Sequence, residues 1–486
     1  MNILFVSSEV APFAKAGGLG DVSSALPRHL HALGHDVRVV LPMYARVHAP
    51  GRTFTEVVPE IVLDLGGNRV LVSIVRTELP GTDLPVYFVR CPGLYDRPSI
   101  YGYARDEHLR FAVLSFAALA MCQHTGFAPD IAHVNDWQSA LVPLLLKTKF
   151  AWDQRIFGRT RSVLTIHNIG HQGTFGAGVL GAIGLGDVAG YVHQDELRSD
   201  RFGFLLTGIL HANAITAVSP TYAREIMTPA HGVGLDPFLR MRADVMFGIL
   251  NGIDPTEWSP ETDARISHRY GVDDLEGKAR CKEALLASGG LPHKKEIPVV
   301  GIVSRLVWQK GFDLCMGVLP RILRRRAVQL AVLGTGESRY EEFFHALSRA
   351  FPRQVVYRPA FSENLAHQIE AGSDMFLMPS RYEPCGLNQM YSLRYGTPPI
   401  VHATGGLVDT VRPWDGRARR GTGFVFEHFD EAGLAWAIQR ALDVWGSGRG
   451  EDRARWRELQ ANGMRLPLSW EHRVGEYLEV YRGILA

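Results

Sequence analysis

The sequence predicts an α/β protein built from two Rossmann-like, doubly wound domains that face each other across a cleft. Short β-branched apolar runs alternate with longer amphipathic stretches, which is typical of parallel sheets covered by helices. This alternation restarts after the loop-rich stretch "GILNGIDPTEWSPETD". The chain also has 486 residues, more than one hydrophobic core usually serves. Together these observations favour two consecutive α/β domains.

The first half of the chain supplies the strands of the first domain. The strand candidates are "NILFVSS", "DVRVVLP", "PVYFVR", "IAHVND", "SVLTIHN" and "AITAVSP". A helix after the first strand is expected to begin near Asp21, a good N-cap residue, and to end at Gly34. Pro27 lies inside this helix and should bend it or shift its start.

The second half repeats the pattern with "IPVVGIVSR", "QLAVLGTG", "VVYRPA", "MFLMPS" and "PPIVHAT". We therefore predict domains over residues 1–247 and 248–469, with a C-terminal helix over 470–486 that packs back on the first domain. Ligands of open parallel sheets bind at the carboxyl ends of the strands, so two facing domains are expected to share one cleft.

Composition excludes several classes of function. The chain is 46% hydrophobic and 21% charged, with 52 basic and 50 acidic residues, so no net field attracts nucleic acid or an anionic membrane. No apolar run reaches membrane-spanning length, and the first residues contain no basic targeting region. Scattered cysteines without a C-x-x-C pair argue against a disulfide or zinc scaffold. We expect a soluble, cytoplasmic protein.

The stretch "KAGGLGDVSSAL", residues 15–26, indicates an anion site of an unusual kind. A P-loop needs its lysine after the glycines, whereas Lys15 precedes them. A dinucleotide-binding loop needs a third glycine, where this chain has Ser23. Neither standard phosphate loop fits, so the rest of the chain must identify the ligand.

Charged residues and glycines follow several predicted strands. In the second domain they are Arg305 and Lys310 in "SRLVWQKGFD", Glu383 in "SRYEPCGLNQ", and Gly405 with Gly406 in "HATGGLVDT". Glycines before a helix let backbone N–H groups approach an anion closely. Each feature alone is more often structural, because surface cations are usually solvated and every α/β fold has glycine-rich strand ends.

In the first domain, His167 follows the strand of "TIHNIGHQGTF" and Asp136 follows that of "HVNDWQSAL". Cations, backbone amides, a carboxylate and a histidine together suit a diphosphate leaving group beside a polyhydroxylated substrate. The chain contains no Asp-x-Asp pair, which argues against a metal-bridged diphosphate. Lysine and arginine would replace the metal.

These motifs resemble those of bacterial glycogen synthase and plant starch synthase. "KAGGLGDV", "HVNDWQSAL", "TIHNIGHQGTF", "GILNGID", "SRLVWQKGFD", "SRYEPCGLNQMYSL" and "ATGGLVDTV" occur in the family's order from residue 15 to about residue 411. The opening motif together with "EPCGLNQ" is the most specific part. The resemblance implies the two-domain GT-B fold, with an acceptor-side first domain and a nucleotide-sugar-binding second domain.

The resemblance also implies roles for individual residues. His167 is expected near the transferred glucose, Arg305 and Lys310 at the leaving ADP, and Glu383 at the sugar hydroxyls. Further donor contacts to the diphosphate or sugar are expected from Lys15, Gly18, Gly405, Gly406 and Leu407. Sugar or acceptor contacts are expected from Glu9, Asp21, Asp136 and Asn251.

The implied reaction is transfer of glucose from ADP-glucose to the non-reducing-end 4-hydroxyl of an α-1,4-glucan, with retention of configuration. No obligatory metal or other cofactor is implied. Related glycosyltransferases carry a second glutamate where this chain has Tyr391, as glycogen synthases do. Asn135 and Gln138 stand where histidines are common in the family.

Other functions stay open from the sequence. One is a GT-B transferase that uses UDP-glucose or a small acceptor. Another is a nucleotide-sugar 2-epimerase on the same scaffold, which would change the donor without any glucan. A third is a non-catalytic glucan-binding protein, against which the complete set of Lys15, Arg305, Lys310 and Glu383 argues.

Overall fold

A computed structural model describes residues 1–48, 51–102 and 104–486, which form two compact units. The first unit comprises Met1–Asn251 and Trp470–Ala486, and the second comprises Gly252–Ser469. The sequence placed the join between residues 247 and 248. Each unit is an α/β domain with its own sheet.

The described part of the first unit contains a nine-stranded sheet, in the order β11-β10-β7-β6-β1-β2-β5-β4-β3. All neighbours pair in parallel except β3 with β4 and β4 with β5. A separate antiparallel pair is formed by β8 and β9. The strands are β1 (Asn2–Val6), β2 (Asp36–Pro42), β3 (Thr55–Leu65), β4 (Asn68–Glu78), β5 (Pro85–Arg90), β6 (Ile131–Asn135), β7 (Arg161–Ile166), β8 (Thr174–Phe175), β9 (Phe202–Gly203), β10 (Ala214–Ala217) and β11 (Met246–Gly248).

Helices cover this sheet, as the apolar strands require. In β1 the side chains of Ile3, Leu4, Phe5 and Val6 are all buried, which is typical of a parallel strand with both faces covered. The helices are α1 (Gly18–Ala32), α2 (Pro92–Tyr95), α3 (Glu107–Thr125), α4 (Asp136–Ser139), α5 (Val142–Lys147), α6 (Gln154–Phe157), α7 (Val179–Ala182), α8 (Gln194–Arg198), α9 (Phe204–His211), α10 (Pro220–Glu225) and α11 (Asp236–Met241).

The start of α1 corrects the sequence-based expectation. The helix begins at Gly18, with Gly17 as its N-cap, and Asp21 lies inside the first turn. Pro27 stays within the helix. The early start is accommodated because the glycines before Asp21 leave the chain free to turn directly into the helix.

The second unit has a six-stranded parallel sheet in the order β14-β13-β12-β15-β16-β17. This is the strand order of the dinucleotide-binding Rossmann fold. The strands are β12 (Val299–Val303), β13 (Gln329–Leu333), β14 (Val355–Arg358), β15 (Met375–Met378), β16 (Pro399–His402) and β17 (Phe424–Phe426). The helices are α12 (Glu276–Ser288), α13 (Phe312–Arg325), α14 (Ser338–Ala350), α15 (Glu363–Gly372), α16 (Asn388–Arg394), α17 (Gly405–Thr410), α18 (Glu431–Trp445) and α19 (Gly450–Met464).

Each sheet has a point where the strand order reverses, and the candidate residues follow the strands beside it. In the first unit the reversal lies between β1 and β6, and in the second between β12 and β15. Open α/β sheets bind ligands at the carboxyl ends of the strands at such a point. Asp136 follows β6, Arg305 follows β12 and Glu383 follows β15.

None of the helices formed by the described residues is long and apolar enough to cross a membrane. The five cysteines, Cys91, Cys122, Cys281, Cys315 and Cys385, are buried free thiols.

The last helix, α20 (Val474–Leu485), belongs to the first unit and is tied to its sheet through a buried histidine. His133 on β6 has its Nδ1 2.6 Å from the Tyr481 hydroxyl of α20 and its Nε2 2.6 Å from the Thr165 hydroxyl of β7. Burial lowers the pKa of His133 to about 3, so the native protein holds this imidazole neutral.

This histidine makes the protein sensitive to acid. Below pH 6.5 the unfolded chain protonates His133, whereas the native state does so only near pH 3. The unfolded state therefore binds more protons, and stability falls as the pH is lowered through this window, by up to about 1.4 kcal/mol per pH unit for one such group. We expect His133→Gln to reduce the fall in the urea unfolding midpoint between pH 6.5 and 4.5. An unchanged pH slope would contradict this assignment.

Candidate active site

In the first unit, a buried carboxylate organises the loop that carries Lys15. Glu9 Oε2 accepts hydrogen bonds from the backbone N–H groups of Ala16 and Gly17, at 2.6 and 3.0 Å. Glu9 Oε1 accepts one from the Tyr101 hydroxyl at 2.5 Å. Burial raises the pKa of Glu9. Because both oxygens hold protein groups, Glu9 positions this loop, and its expected sugar contact stays a prediction.

Lys15 and Asp21 form an ion pair across the loop. Lys15 Nζ lies 2.6 Å from Asp21 Oδ1, and both side chains are partly exposed. A Cβ added at Gly20 would lie 3.1 Å from Lys15 Cγ, so Gly20 gives the lysine stem its room. Gly18 is the first residue of α1. The motif thus presents a cation on an ordered loop at the start of a helix.

Asp136 holds the loop that follows β7. It begins α4 in a left-handed conformation, with φ of 51°. Its Oδ1 accepts hydrogen bonds from the backbone N–H groups of His167 at 2.7 Å and Asn168 at 3.3 Å. Burial raises the pKa of Asp136 to about 7. The structure thus brings Asp136 and His167 together. The sequence predicted only that each residue follows a strand, and not that the two are in contact.

His167 is a neutral imidazole in a defined orientation. Asn135 donates its Nδ2 hydrogen to the Val6 carbonyl at 3.0 Å, so its Oδ1 is the acceptor for His167 Nε2 at 2.9 Å. Nε2 therefore carries the proton and Nδ1 keeps a lone pair. Burial lowers the pKa of His167 to about 3. The side chain can accept a hydrogen bond from a hydroxyl, but it is not a cation at neutral pH.

Two buried amide oxygens in this unit lack a donor. They are Asn251 Oδ1 and Gln138 Oε1, which have no hydrogen-bond partner among residues 1–48, 51–102 and 104–486. A buried acceptor without a donor is costly, and a ligand hydroxyl could satisfy it. Asn251 was predicted as a sugar contact, whereas Gln138 had been noted only as a departure from the family pattern.

The second unit contributes a buried ion pair. Lys310 lies in a short 3-10 helix, Trp308–Lys310, and its Nζ donates to Glu383 Oε2 at 2.6 Å. Ser380 donates to the same oxygen at 2.8 Å. The side chains are only 18% and 7% exposed, so the carboxylate depends on this lysine for its charge balance.

Arg305, unlike Lys310, has no carboxylate partner among the described residues. It follows β12 and is exposed. Its guanidinium forms no hydrogen bond or ion pair with any residue that the structure describes. An uncompensated cation after a strand at the sheet reversal is suited to an anionic ligand.

Packing within the second unit explains why positions 405 and 406 are glycines, without any need for a phosphate to approach the backbone there. A Cβ at Gly405 would lie 1.9 Å from the Glu383 carbonyl oxygen, and one at Gly406 would lie 2.2 Å from that of Cys385. Gly406 N–H donates to the Glu383 carbonyl at 3.1 Å, and Leu407 N–H donates to that of Thr404 at 3.1 Å. The glycines therefore let α17 pack against the Glu383 loop. Amide contacts from this segment to a phosphate stay a prediction.

Sequence reasoning missed several residues that support the site. Gly311 has φ of 71°, and a Cβ there would lie 2.0 Å from the Pro379 carbonyl oxygen. Because this glycine directly follows Lys310, the sequence alone could have indicated a tight backbone turn beside that lysine. Ser380 and Tyr101 gave none, because nothing in the local pattern shows which carboxylate a hydroxyl will reach.

Comparison with known proteins places this arrangement in context. Residues 2–241 match the family described as starch synthase catalytic domain, and residues 287–461 match glycosyl transferases group 1. The glycogen synthase of Anaeromyxobacter sp. (strain Fw109-5) is 46% identical over 491 residues, covering 100% of both chains. That of Myxococcus xanthus (strain DK1622) is 44% identical over 499 residues, again covering 100% of both.

Two solved structures share the fold. The catalytic domain of Starch Synthase IV from Arabidopsis thaliana, bound to ADP and acarbose, matches with a TM-score of 0.91 and 33% identity over 100% of this chain and 99% of that one. A sucrose-phosphate synthase from Thermosynechococcus elongatus matches with a TM-score of 0.60 and 19% identity over 99% and 98% of the two chains, which shows the fold alone.

The packing at Gly405 can be tested by stability. Gly405 and Gly450 both begin helices at positive φ, 45° and 51°, but nothing lies within 4 Å of a Cβ at Gly450. Alanine at either position pays a similar backbone strain of about 1–2 kcal/mol. We expect Gly405→Ala to lower the Tm well beyond Gly450→Ala, because only its Cβ meets the Glu383 loop. Equal shifts in Tm would show that close approach does not require this glycine.

Proposed function

Because this chain belongs to the bacterial glycogen synthase and starch synthase family of retaining GT-B glycosyltransferases, we propose that it transfers glucose, with retention, from ADP-glucose to the 4-hydroxyl at the non-reducing end of an α-1,4-glucan. The structural observation that carries the proposal is the Lys310–Glu383 pair in the unit that also presents the unpartnered Arg305. The ADP and acarbose held by the starch synthase support the same choice of ligands.

The leaving group accounts for the two cations. When the bond between the glucose C1 and the phosphate oxygen breaks, negative charge develops on ADP. Arg305 has no protein partner that must be displaced, and Lys310 retains protons for a phosphate oxygen beyond the one donated to Glu383. Fixed cations of this kind stabilise developing charge more effectively than water does. In this scheme side chains carry the charge and no metal step is used.

Glu383 has two functions in this scheme. Its Oε2 holds Lys310 in place, and Oε1 is left to accept hydrogen bonds from sugar hydroxyls. Its negative charge also stabilises the positive charge that develops at the anomeric carbon. The acceptor 4-hydroxyl oxygen attacks C1 from the face that ADP leaves, and its proton passes to the departing phosphate oxygen. The new bond therefore keeps the configuration of the old one.

The first unit is proposed as the acceptor-side domain. His167, as a neutral acceptor, would hold a hydroxyl of the transferred glucose, and Lys15 with Gly18 would contact the diphosphate or sugar. The orphaned oxygen of Asn251 fits a further hydroxyl donor. Glu9 holds protein groups with both carboxylate oxygens, and Asp136 and Asp21 each hold protein groups through Oδ1. We therefore propose them mainly as positioning residues.

A cytoplasmic location is part of the proposal. Five buried thiols without a disulfide are compatible with a reducing compartment.

A donor comparison tests this function. The purified protein is incubated with glycogen and either ADP-glucose or UDP-glucose, and nucleotide release is measured against glucan growth. We expect preference for ADP-glucose, with one ADP released for each glucose added. Equal or reversed preference would overturn the donor assignment. Conversion of the donor without glucan would instead support the epimerase.

The same assay tests the leaving-group role of Arg305. Arg305→Ala should lower kcat by a factor of about 100–1000, as loss of one donor to a developing charge does, while the Tm stays unchanged because the side chain is exposed. Arg349→Ala is the matched control, since Arg349 is also an exposed arginine of the second unit, on α14. Loss of activity in both variants, or in neither, would remove Arg305 from the mechanism.

A further inference from the structure

A cluster of potential metal ligands lies in the second unit, on residues that the proposed reaction does not use. Glu257, Glu363 and His367 each bring one ligand atom within 4.8 Å of the others. Glu363 and His367 are four residues apart on α15, so they project from the same face of the helix. This i, i+4 spacing is one by which helices present two ligands to a single metal ion.

His367 has the environment of a metal-ligating histidine. Its side chain is 0% exposed, and Nδ1 lies 2.7 Å from Asp263 Oδ2, which also accepts a hydrogen bond from the Tyr395 hydroxyl. Nε2 is buried and has no hydrogen-bond partner in the described part of the chain. Metal-binding histidines are typically held in this way, with one nitrogen fixed by a carboxylate and the other left to the ion.

The imidazole ring is also fixed by stacking. Trp258 lies parallel to it at 3.7 Å between ring centroids, and on Trp258 in turn stacks Tyr391 at 3.8 Å. Glu257 is the neighbour of Trp258 in the chain, so the stack and one carboxylate belong to the same loop. The orientation of the orphaned Nε2 is therefore set before any ligand arrives.

The side chain of Arg265 lies next to the two glutamates. The Arg265 guanidinium lies 3.6 Å from Glu257 and 4.0 Å from Glu363. These distances are beyond hydrogen-bonding range, and the three side chains are 35–45% exposed, so the pairs are weak. A divalent ion that also binds His367 has an advantage over the arginine, because it satisfies the buried nitrogen as well.

We propose that Glu257, Glu363 and Nε2 of His367 bind one divalent transition-metal ion, with water completing the coordination. An imidazole with two carboxylates suits Zn²⁺, whose ligands lie at roughly 2.0–2.2 Å. The partly exposed glutamate side chains can close to this distance while His367 stays in place. The bound ion joins α15 to the Trp258 loop and, through the stack, to Tyr391 on α16. Its role is to stabilise the second unit, separately from the transfer reaction.

This site is tested by isothermal titration calorimetry, in which Zn²⁺ is titrated into the metal-free full chain and the stoichiometry and affinity of binding are measured. We expect one Zn²⁺ per chain at the assigned ligands. Glu363→Gln should weaken this binding at least tenfold, because it removes a charged ligand. Arg265→Gln should tighten it several-fold, because it removes the competing cation. Glu342→Gln, an exposed glutamate on α14, is the control and should leave the affinity within twofold.

Opposite effects of Glu363→Gln and Arg265→Gln distinguish this site from adventitious binding elsewhere on the surface. Both side chains are partly exposed, so the variants are expected to fold, which an unchanged Tm without metal will verify. Unchanged affinity in Glu363→Gln, weaker binding in Arg265→Gln, or no zinc binding by the wild type would overturn the proposal. Neither result depends on glucosyl transfer, so the test is independent of the proposed function.

Discussion

The ion pair between Lys310 and Glu383 is the interaction on which the rest of the second unit's site depends. A carboxylate as buried as that of Glu383 is costly unless a cation and hydrogen-bond donors compensate it. Lys310 and Ser380 provide this compensation at 2.6 and 2.8 Å. The loops around the pair must therefore approach one another closely, and they do so at glycines. Gly311 passes the Pro379 carbonyl, and Gly405 passes that of Glu383 itself.

The first unit uses carboxylates differently. Glu9 and Asp136 are also buried, but their hydrogen-bond donors are backbone N–H groups and, for Glu9, the Tyr101 hydroxyl, rather than a side-chain cation. Glu9 thereby holds the loop that carries Lys15, and Asp136 holds the loop that carries His167. Acidic side chains thus position the groups of the first unit, whereas in the second unit the carboxylate and its lysine face the reacting atoms themselves in our proposal.

The sequence was sufficient for the fold class and for the strand ends at which the candidate residues lie, because buried parallel strands and glycine-rich loops leave local patterns. It was insufficient for the antiparallel hairpin of β3 and β4, since these long strands at the sheet edge do not follow the alternation of strand and helix. It was wrong on the start of α1, which Gly18 rather than Asp21 begins. Contacts such as Tyr101 with Glu9 join residues far apart in the chain and have no local signal.

A double-mutant cycle on Lys310 and Glu383 tests the central claim most directly, with unfolding of the second unit followed in urea. Lys310→Met leaves the Glu383 carboxylate buried without its cation and should cost about 3–5 kcal/mol of unfolding free energy. Adding Glu383→Gln to this variant removes the stranded charge, so the account predicts that the double variant recovers much of the loss. If the costs of the two single substitutions simply add, the pair is not the interaction that holds this site together.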